Sequence, residues 1–379
     1  MCPTSGIEDF QWMIRYLDAL DETNAKILEG LGAHGPRNIS SLAKELRISS
    51  TTVAFRISKL VEESGLQVRV RLNFQKLGLR RAVVFTEAKP GKERMLRNLI
   101  ENLPYWTYVI RCFGKFNGVY TLFSFPSEFK REFEDYFAEA SRQKILENYT
   151  IFWVTDFCEM PPNFQWFDFK KRGWNFQWQQ WLKEIEHSAE TLPKQLLDPE
   201  TYPVLADDTD LLILKELEKD GALEFKKLAE TVDMTPEAVR YRFQNHILKR
   251  GLISDYEISI FPYPYQSSDL ASFVIDFKDE AALARFVNSL TNKPFVFNYA
   301  KVTGQNKLIV HFFTPKTEFS RLIDSLNQLI ETHIVTRFFN VVLDIPSYRR
   351  QTVSYEFFKN NKWTYNHQEL MKDLKKILS

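Results

Sequence analysis

Few residues of this 379-residue chain have the types and spacing that catalysis requires. Its six histidines include no pair spaced to bind a metal ion from one helix, and no serine lies in a nucleophile-elbow motif. The glycines form neither a phosphate-binding loop nor a dinucleotide-binding fingerprint. The sequence therefore predicts no catalytic residue, no metal site and no cofactor, and we expect that the chain is not an enzyme.

The three cysteines, Cys2, Cys112 and Cys158, form no C-x-x-C pair and are too few for a disulfide framework. Free thiols of this kind indicate a reducing compartment. Basic and acidic residues balance at 50 and 49, and no apolar run approaches the roughly 18 residues of a membrane span. We expect a cytoplasmic protein without a membrane partner, in which any attraction for a charged partner is local.

Two segments of the same pattern have the chemistry of nucleic-acid recognition. "SSTTVAFRISKLVEESGL" begins at Ser49 and "TPEAVRYRFQNHILKRGL" begins at Thr235, and each opens with a hydroxyl residue and closes with Gly-Leu. Apolar residues recur at helical spacing, which leaves an outer face able to enter the major groove of double-stranded DNA. The predicted DNA-binding residues are Ser50, Thr51, Thr52, Phe55, Arg56 and Lys59 in the first segment and Arg240, Tyr241, Arg242, Gln244 and Asn245 in the second.

Local charge favours the first of these segments. From Arg37 to Arg81 the chain has 10 basic and 3 acidic residues, whereas the two kinds balance at 6 and 6 from Glu224 to Glu257. A basic surplus of this size is typical of phosphate binding, so we expect the first segment to supply much of the salt-sensitive affinity. Arg56 and Arg242 flank the apolar stripes and could instead form ion pairs with acids of their own domains.

The two segments belong to a tandem repeat that covers nearly the whole chain. Val53 corresponds to Val239 at an offset of 186 residues (239 − 53), and Trp174 corresponds to Trp363 at an offset of 189 (363 − 174). Long-period similarity of this kind indicates a duplicated structural unit. The order of parts is kept, with a few residues inserted.

Each copy begins with three short helices of the helix-turn-helix outline, followed by a strand such as "LQVRVRLNF", in which Val and Leu alternate with Arg. A strand in this position is a wing. The next segments follow the order βαββαβ in both copies, which is typical of a ferredoxin-like domain. The predicted fold class is therefore α+β, with two tandem units that each contain a winged helix-turn-helix followed by a ferredoxin-like βαββαβ domain.

Each copy ends in an aromatic tail, in which residues such as Trp174, Trp178 and Trp181 are spaced as on one face of a helix. We expect these faces to dock on the sheets or between the copies. The predicted domains are residues 1–72 (first winged helix-turn-helix), 73–160 (first ferredoxin-like domain), 161–206 (tail and linker), 207–258 (second winged helix-turn-helix), 259–346 (second ferredoxin-like domain) and 347–379 (C-terminal tail).

This order of domains, together with "NISSLAKELRISSTTVAFRISKLVEESGL" and "LAETVDMTPEAVRYRFQNHILKRGLI", resembles the Lrp/AsnC (feast/famine) transcriptional regulators of archaeal type. In that family the ferredoxin-like part is called the RAM domain. The resemblance implies a fused pair of units that binds double-stranded DNA sequence-specifically and reads a two-part site through two recognition helices. It also implies a small-molecule effector of unknown identity at the interface of the RAM-like domains, and it allows further assembly into a homo-dimer.

Two alternatives stay open at this stage. The sirohaem decarboxylases of haem biosynthesis have the same architecture, although the histidines they place around the RAM hairpin are missing from "TYVIRCFGKFNGVYTLF". The other alternative is an interaction module in which the winged helices bind protein rather than DNA.

Overall fold

The computed structural model describes residues 12–376, and Cys2 lies outside this range. A short 3-10 helix, Trp12–Leu17, precedes the first helix-turn-helix domain, which we call head 1. Its helices are α1 (Glu22–His34), α2 (Ile39–Leu46) and α3 (Ser50–Ser64). Asp21 caps α1 and Ser49 caps α3, because each side chain accepts a hydrogen bond from the backbone N–H three residues further on.

The rest of unit 1 is a ferredoxin-like domain with a tail. The wing strand β1 (Val68–Leu72) leads out of head 1. The domain then contains β2 (Leu79–Ala88), α4 (Glu93–Asn102), β3 (Trp106–Gly114), β4 (Gly118–Pro126), α5 (Lys130–Arg142) and β5 (Leu146–Val154). The tail consists of the two-residue strands β6 (Cys158–Glu159), β7 (Phe167–Asp168) and β8 (Gly173–Trp174) and the helix α6 (Trp178–His187).

Unit 2 repeats this order. Head 2 contains α7 (Asp208–Leu217), α8 (Phe225–Val232) and α9 (Pro236–Arg242), and its wing is β9 (Ile253–Ile258). The domain contains β10 (Ser268–Phe277), α10 (Glu280–Ser289), β11 (Val296–Lys301), β12 (Lys307–Pro315), α11 (Lys316–Glu331) and β13 (Val335–Leu343). The tail contains β14 (Arg349–Arg350), β15 (Phe358–Lys359), β16 (Lys362–Trp363) and α12 (His367–Lys376). These elements confirm the predicted fold class.

The two four-stranded sheets join along both edges. On one side β3 pairs with β13, from Cys112 opposite Leu343 to Gly114 opposite Val341. On the other side a bridge connects Val154 and Val302. The joined sheets enclose a core from both units, in which the ring of Phe85 lies 5.8 Å from that of Phe339. Each sheet thereby buries the apolar face that its own helices leave uncovered.

The tails are exchanged between the units. Trp181 of α6 packs against Phe295 of unit 2 at a ring distance of 5.0 Å, and its Nε1 donates to Ser289 Oγ at 3.0 Å. In the other direction Trp363 packs against Tyr105 of unit 1, and its Nε1 donates to the carbonyl of Leu77 at 2.6 Å. Because each tail completes the other unit's core, neither unit has its full packing alone.

The two wings pair with each other in an antiparallel ribbon. Val70 of β1 lies opposite Tyr256 of β9. These residues are 186 positions apart (256 − 70), so each lies opposite its own counterpart in the repeat. An antiparallel pair of equivalent strands has a local two-fold axis at its centre, and the heads are therefore related by a pseudo-two-fold axis through this pair.

Charged side chains with little exposure lie where the C-terminal tail meets the second wing and head 2. Arg350 donates to both carboxylate oxygens of Glu257 at 2.8 Å. Burial acts to raise the pKa of Glu257, but Arg350 and Arg69 outweigh it and lower the pKa to about 2. Burial of the Glu218 carboxyl raises its pKa to about 7, although its Oε2 accepts a hydrogen bond from the Val353 N–H at 2.7 Å.

The substitution Glu218→Gln should flatten the pH dependence of stability. The folded pKa near 7 lies above the ordinary 4.5, so protonation stabilises the fold at low pH. This contribution, roughly 3 kcal/mol, is complete below the unfolded pKa and is lost as the pH rises through the folded pKa. As the pH rises from the unfolded pKa to above the folded pKa, urea unfolding should show a larger loss of unfolding free energy for the wild type than for Glu218→Gln. The exposed Glu230→Gln is the control, and equal pH slopes in all three proteins would contradict the assignment.

Among residues 12–376 there is no helix whose length and apolar character would let it cross a bilayer.

Candidate nucleic-acid interface

The third helix of head 1 presents a polar face with one exposed ring. Val53 and Leu60 are buried in the head core, so the opposite face of α3 turns outward. Phe55 is 66% exposed, which is unusual for a large apolar side chain. The other outward residues of the predicted set on α3 are Ser50, Thr51, Thr52 and Lys59.

Head 2 presents a matching face on its third helix. Thr235 caps α9 through a hydrogen bond from the Ala238 N–H at 3.2 Å. Tyr241, the counterpart of Phe55, is 60% exposed. Arg240 and Gln244 are exposed beside it, and Asn245 is half-buried. Both heads therefore hold an exposed aromatic ring at the same place on the third helix.

The third helix of head 2 changes its winding part-way along. After α9 the chain continues as a π-helical segment, Phe243–Leu248, with Phe243 and Ile247 buried. π-Helical turns are rare and occur often at functional sites. The apolar spacing of this segment did not distinguish it from an ordinary α-helical turn, and the sequence analysis therefore missed it.

Arg56 and Arg242 have intramolecular partners. Arg56 Nη1 lies 2.8 Å from Asp21 Oδ2, and Arg242 Nη1 lies 2.7 Å from Asp207 Oδ2. Asp21 and Asp207 are the N-caps of α1 and α7. The structure thus realises the alternative in which these arginines pair with acids of their own domains, and they join the third helix of each head to the first.

The ion pair of head 2 is the more buried one. Arg242 Nη1 also lies 2.8 Å from Asp210 Oδ1, and Asp210 is fully buried. Asp207, Asp210 and His246 could offer three ligand atoms to a metal ion. Arg242 already supplies positive charge at this place. In head 1 the counterpart of Asp210 is the neutral Asn24, whose Oδ1 accepts from Arg56 at 2.9 Å.

Most of the basic surplus of head 1 is used inside the molecule, which corrects the expectation drawn from local charge. Arg69 and Arg71 form ion pairs, Lys76 donates to the Arg250 carbonyl at 2.8 Å, Arg80 stacks on the Tyr202 ring at 4.2 Å, and Arg81 is buried. Exposed cations of the heads include Lys26, Lys44, Arg47 and Lys59 in head 1 and Lys219, Lys226, Lys227, Arg240, Lys249 and Arg250 in head 2. The sequence cannot show this redistribution, because most of the partners lie far along the chain.

The interior between the sheets is filled by aromatic side chains. Phe85 packs against Phe116 at 5.5 Å and against Tyr120 at 5.3 Å, and Phe116 packs against Phe339 at 6.1 Å. His311 is buried among these rings, and burial lowers its pKa to about 3. Its Nδ1 lies 2.5 Å from Asn298 Oδ1, whereas its Nε2 has no hydrogen-bond partner among the described residues.

The heads match known DNA-binding domains. Residues 207–245 match the AsnC-type helix-turn-helix domain, and residues 20–64 match a winged helix-turn-helix DNA-binding domain. These ranges coincide with head 2 and head 1. Head 2 therefore has a helix-turn-helix of the AsnC type. The predicted resemblance is thereby confirmed, and both heads are helix-turn-helix domains of a DNA-binding kind.

Curated relatives that match one segment of this chain come from archaea. Uncharacterised HTH-type transcriptional regulators of Pyrococcus abyssi and Pyrococcus furiosus are each 38% identical to it over 63 residues. The match covers 16% of this chain and 42% of each relative. The chain thus matches less than half the length of these curated relatives, so their similarity describes one segment and not the whole protein.

Solved structures with a similar fold include an enzyme. The sirohaem decarboxylase NirDL, in complex with an iron-uroporphyrin III analogue, has a TM-score of 0.52 at 14% identity and covers 95% of this chain and 100% of its own. NirDL in a second crystal structure has a TM-score of 0.50 and covers 93% and 97%. The expectation that the chain is not an enzyme is contradicted, because its two-unit architecture is one that a decarboxylase has.

Replacing Arg242 or Arg56 with alanine should show that the buried ion pair of head 2 contributes more to the free energy of unfolding than the exposed ion pair of head 1. Arg242→Ala leaves the carboxylate of Asp210 without its main partner in the core and should cost about 3 kcal/mol of unfolding free energy. Arg56→Ala removes the partner of Asp21, which is already 52% exposed, and one hydrogen bond to the neutral Asn24, and should cost about 1 kcal/mol. Urea denaturation measures both, and a larger loss for Arg56→Ala would refute the assignment.

Proposed function

We propose that this chain is a sequence-specific transcriptional regulator that reads a two-part site in double-stranded DNA. The observation that carries the proposal is the pair of exposed rings, Phe55 and Tyr241, at equivalent positions of two capped third helices. An exposed ring at the centre of such a helix suits contact with thymine methyl groups and base edges in the major groove. The pseudo-two-fold relation between the heads suits a pair of half-sites.

The residues around the rings divide into two roles. Thr51, Thr52, Arg240 and Gln244 are exposed and have donors or acceptors for base edges. Ser50 lies in the first turn of α3, where the helix end and its hydroxyl suit a phosphate oxygen. Lys59 and Asn245 complete the predicted set on the outer side. Arg56 and Arg242 act in this proposal through the ion pairs that hold the helices in place.

Base reading is tested by selecting bound fragments from a random DNA pool and then comparing variants on the selected site. Phe55→Ala and Tyr241→Ala should each relax base preference in one half-site, and Gln244→Ala should cost about 1 to 3 kcal/mol at one position if a bidentate contact is lost. A uniform loss on every sequence would reassign these residues to backbone contacts. Absence of any enriched motif would reject sequence-specific reading.

We expect exposed cations of both heads to contact the phosphates of the DNA backbone. Lys44 and Arg47 of head 1 and Lys226 and Lys227 of head 2 are exposed and form no ion pair within the described part of the chain. Each neutralised phosphate contributes a slope of about 0.9 to the dependence of log affinity on log salt. The variants Lys44→Ala with Arg47→Ala and Lys226→Ala with Lys227→Ala should therefore each flatten the slope by up to about 1.8. If neither pair changes it, these lysines and arginines do not bind DNA.

A haem-pathway enzyme of the sirohaem-decarboxylase kind is the second candidate, favoured by the similarity in fold over 95% of the chain. The buried Nε2 of His311 is a free nitrogen that could bind iron. However, the rings of Tyr120 and Phe157 lie 5.3 and 5.5 Å from the His311 ring, so the interior has no room for a macrocycle as it stands. The residues between the sheets therefore do not fit a tetrapyrrole.

Absorbance titration with haem and with sirohaem tests this candidate directly. We expect no saturable change in the Soret region for the wild type or for His311→Ala. A saturable spectrum in the wild type that is lost in His311→Ala would favour the enzyme. Binding of neither DNA nor tetrapyrrole would favour the protein-interaction module.

The effector of such a regulator would have to bind outside the filled interior. A cleft of about 310 Å³ beside β3 and β14 is lined by Arg97, Arg111, Arg349, Asp344, Pro346 and Ser347. Three guanidinium groups exceed the carboxylates that reach them from Glu101 and Asp344. The cleft therefore suits a small anion rather than a neutral or cationic ligand.

A further inference from the structure

The two heads touch at the pseudo-two-fold axis through a residue and its own counterpart. Arg37, in the loop between α1 and α2, donates through Nη2 to the carbonyl of Leu223, which lies 186 positions further along. The guanidinium of Arg37 lies 4.6 Å from the centre of the Phe225 ring and 5.4 Å from that of Phe243. One unit thus contributes a cation and the other a carbonyl and two rings.

In the wings, too, unit 1 contributes the cations. Arg69 lies opposite Glu257 and Arg71 lies opposite Asp255, with nitrogen–oxygen distances of 3.5 and 3.2 Å. By the repeat offset, Asp255 is the counterpart of Arg69 and Glu257 is the counterpart of Arg71. Wing 1 therefore carries two arginines at the places where wing 2 carries two acids.

This arrangement favours pairing of unlike units. Two copies of wing 1 paired in the same register would place Arg69 opposite Arg71 twice, and two copies of wing 2 would place Asp255 opposite Glu257 twice. Like charges directly opposite each other destabilise an antiparallel pair. Only the pairing of unit 1 with unit 2 satisfies the charges on both strands.

The contact also reaches the second recognition helix. Phe225 begins α8, and Phe243 begins the π-helical segment that continues α9. Arg240 of the recognition helix also lies over the Phe225 ring, 5.4 Å from its centre. In the same loop of head 1, Gly35 lies against Tyr256 of the second wing, and a Cβ atom there would lie 2.4 Å from the Tyr256 ring. The position of α9 is therefore tied to a loop of head 1.

We propose that Arg37, together with the charged wing pairs, is the positioning device that fixes the two recognition helices relative to each other, so that one chain accepts its two half-sites at one spacing only. This inference rests on the proposed DNA-binding function. Arg37 is a positioning residue, because it acts on DNA through Phe225 and Phe243 and not by touching a base.

Spacing is a sensitive readout because DNA is helical. With about 10 to 10.5 base pairs per turn, each inserted base pair rotates the second half-site by about 35° and moves it by about 3.4 Å. A rigid pair of heads cannot follow this change and loses the contacts of one head. Heads that move independently can follow it.

The experiment uses the full chain and the selected DNA site with one, two or three base pairs inserted between the half-sites. The wild type should lose about tenfold or more in affinity on insertion, since one head's base contacts are lost. Arg37→Ala and Phe225→Leu should lose clearly less than the wild type across the insertion series. Arg47→Ala, which removes an exposed cation from the same head, should weaken binding equally at every spacing.

A second measurement tests the device without DNA. Spin labels on non-natural residues introduced at Glu62 and Leu248, which are equivalent exposed positions of the two heads, report the distance between them. The distance distribution should be narrow in the wild type and broader in Arg37→Ala and Phe225→Leu. Unchanged distributions in both variants would overturn the inference even if the wild type binds DNA. If the wild type binds no DNA but the variants still broaden the distance distribution, the proposed function and its link to half-site spacing are overturned. In that case the conclusion that Arg37 couples the two heads would still stand.

Discussion

Pairing of two unequal copies around one pseudo-two-fold axis is the constraint on which the rest of the structure depends. Val70 lies opposite Tyr256 in the wing ribbon, and the edge strands of the two sheets close a shared core. An apolar sheet face, an unpaired strand edge and a tail with a tryptophan stripe would each be unfavourable in an isolated unit. All three are covered only when the copies come together, so a single chain supplies what a homodimer would need two chains to provide.

Because the two copies are fused in one chain, equivalent positions near the axis can carry different residues. In a symmetric dimer a residue on the axis meets a copy of itself, and two residues that meet across the axis do so twice, so two like charges near it are brought together twice. In this chain Arg37 meets Leu223, and the arginines of one wing meet the acids of the other. Arg37, Arg69 and Arg71, which contribute to the basic surplus of the first copy, thus stabilise the junction between the units.

The same two-unit architecture serves a decarboxylase, so the fold alone does not decide the chemistry of this chain. Two regions of the molecule bear on its function. The interior between the sheets is filled by rings such as Phe85 and Phe116, whereas Phe55 and Tyr241 remain exposed on the third helices. In the proposed function, these two exposed rings at equivalent positions of two helix-turn-helix domains contact the DNA.

The sequence by itself determined the tandem repeat, the hydroxyl residues Ser49 and Thr235 that open the third helices, the alternation of the strands and the outward face of each third helix. These features depend on residues within one or two helical turns or on a strict period, and local physics fixes them. The tertiary structure alone decided that Arg56 and Arg242 pair with the caps of the first helices, that the tails are exchanged, and that Arg37 lies on the aromatic rings of head 2. It also showed the π-helical turn after α9 and the filled interior. Each of these depends on which distant residues meet, in the case of Arg37 and Leu223 across 186 positions, and no local pattern in the chain encodes that choice.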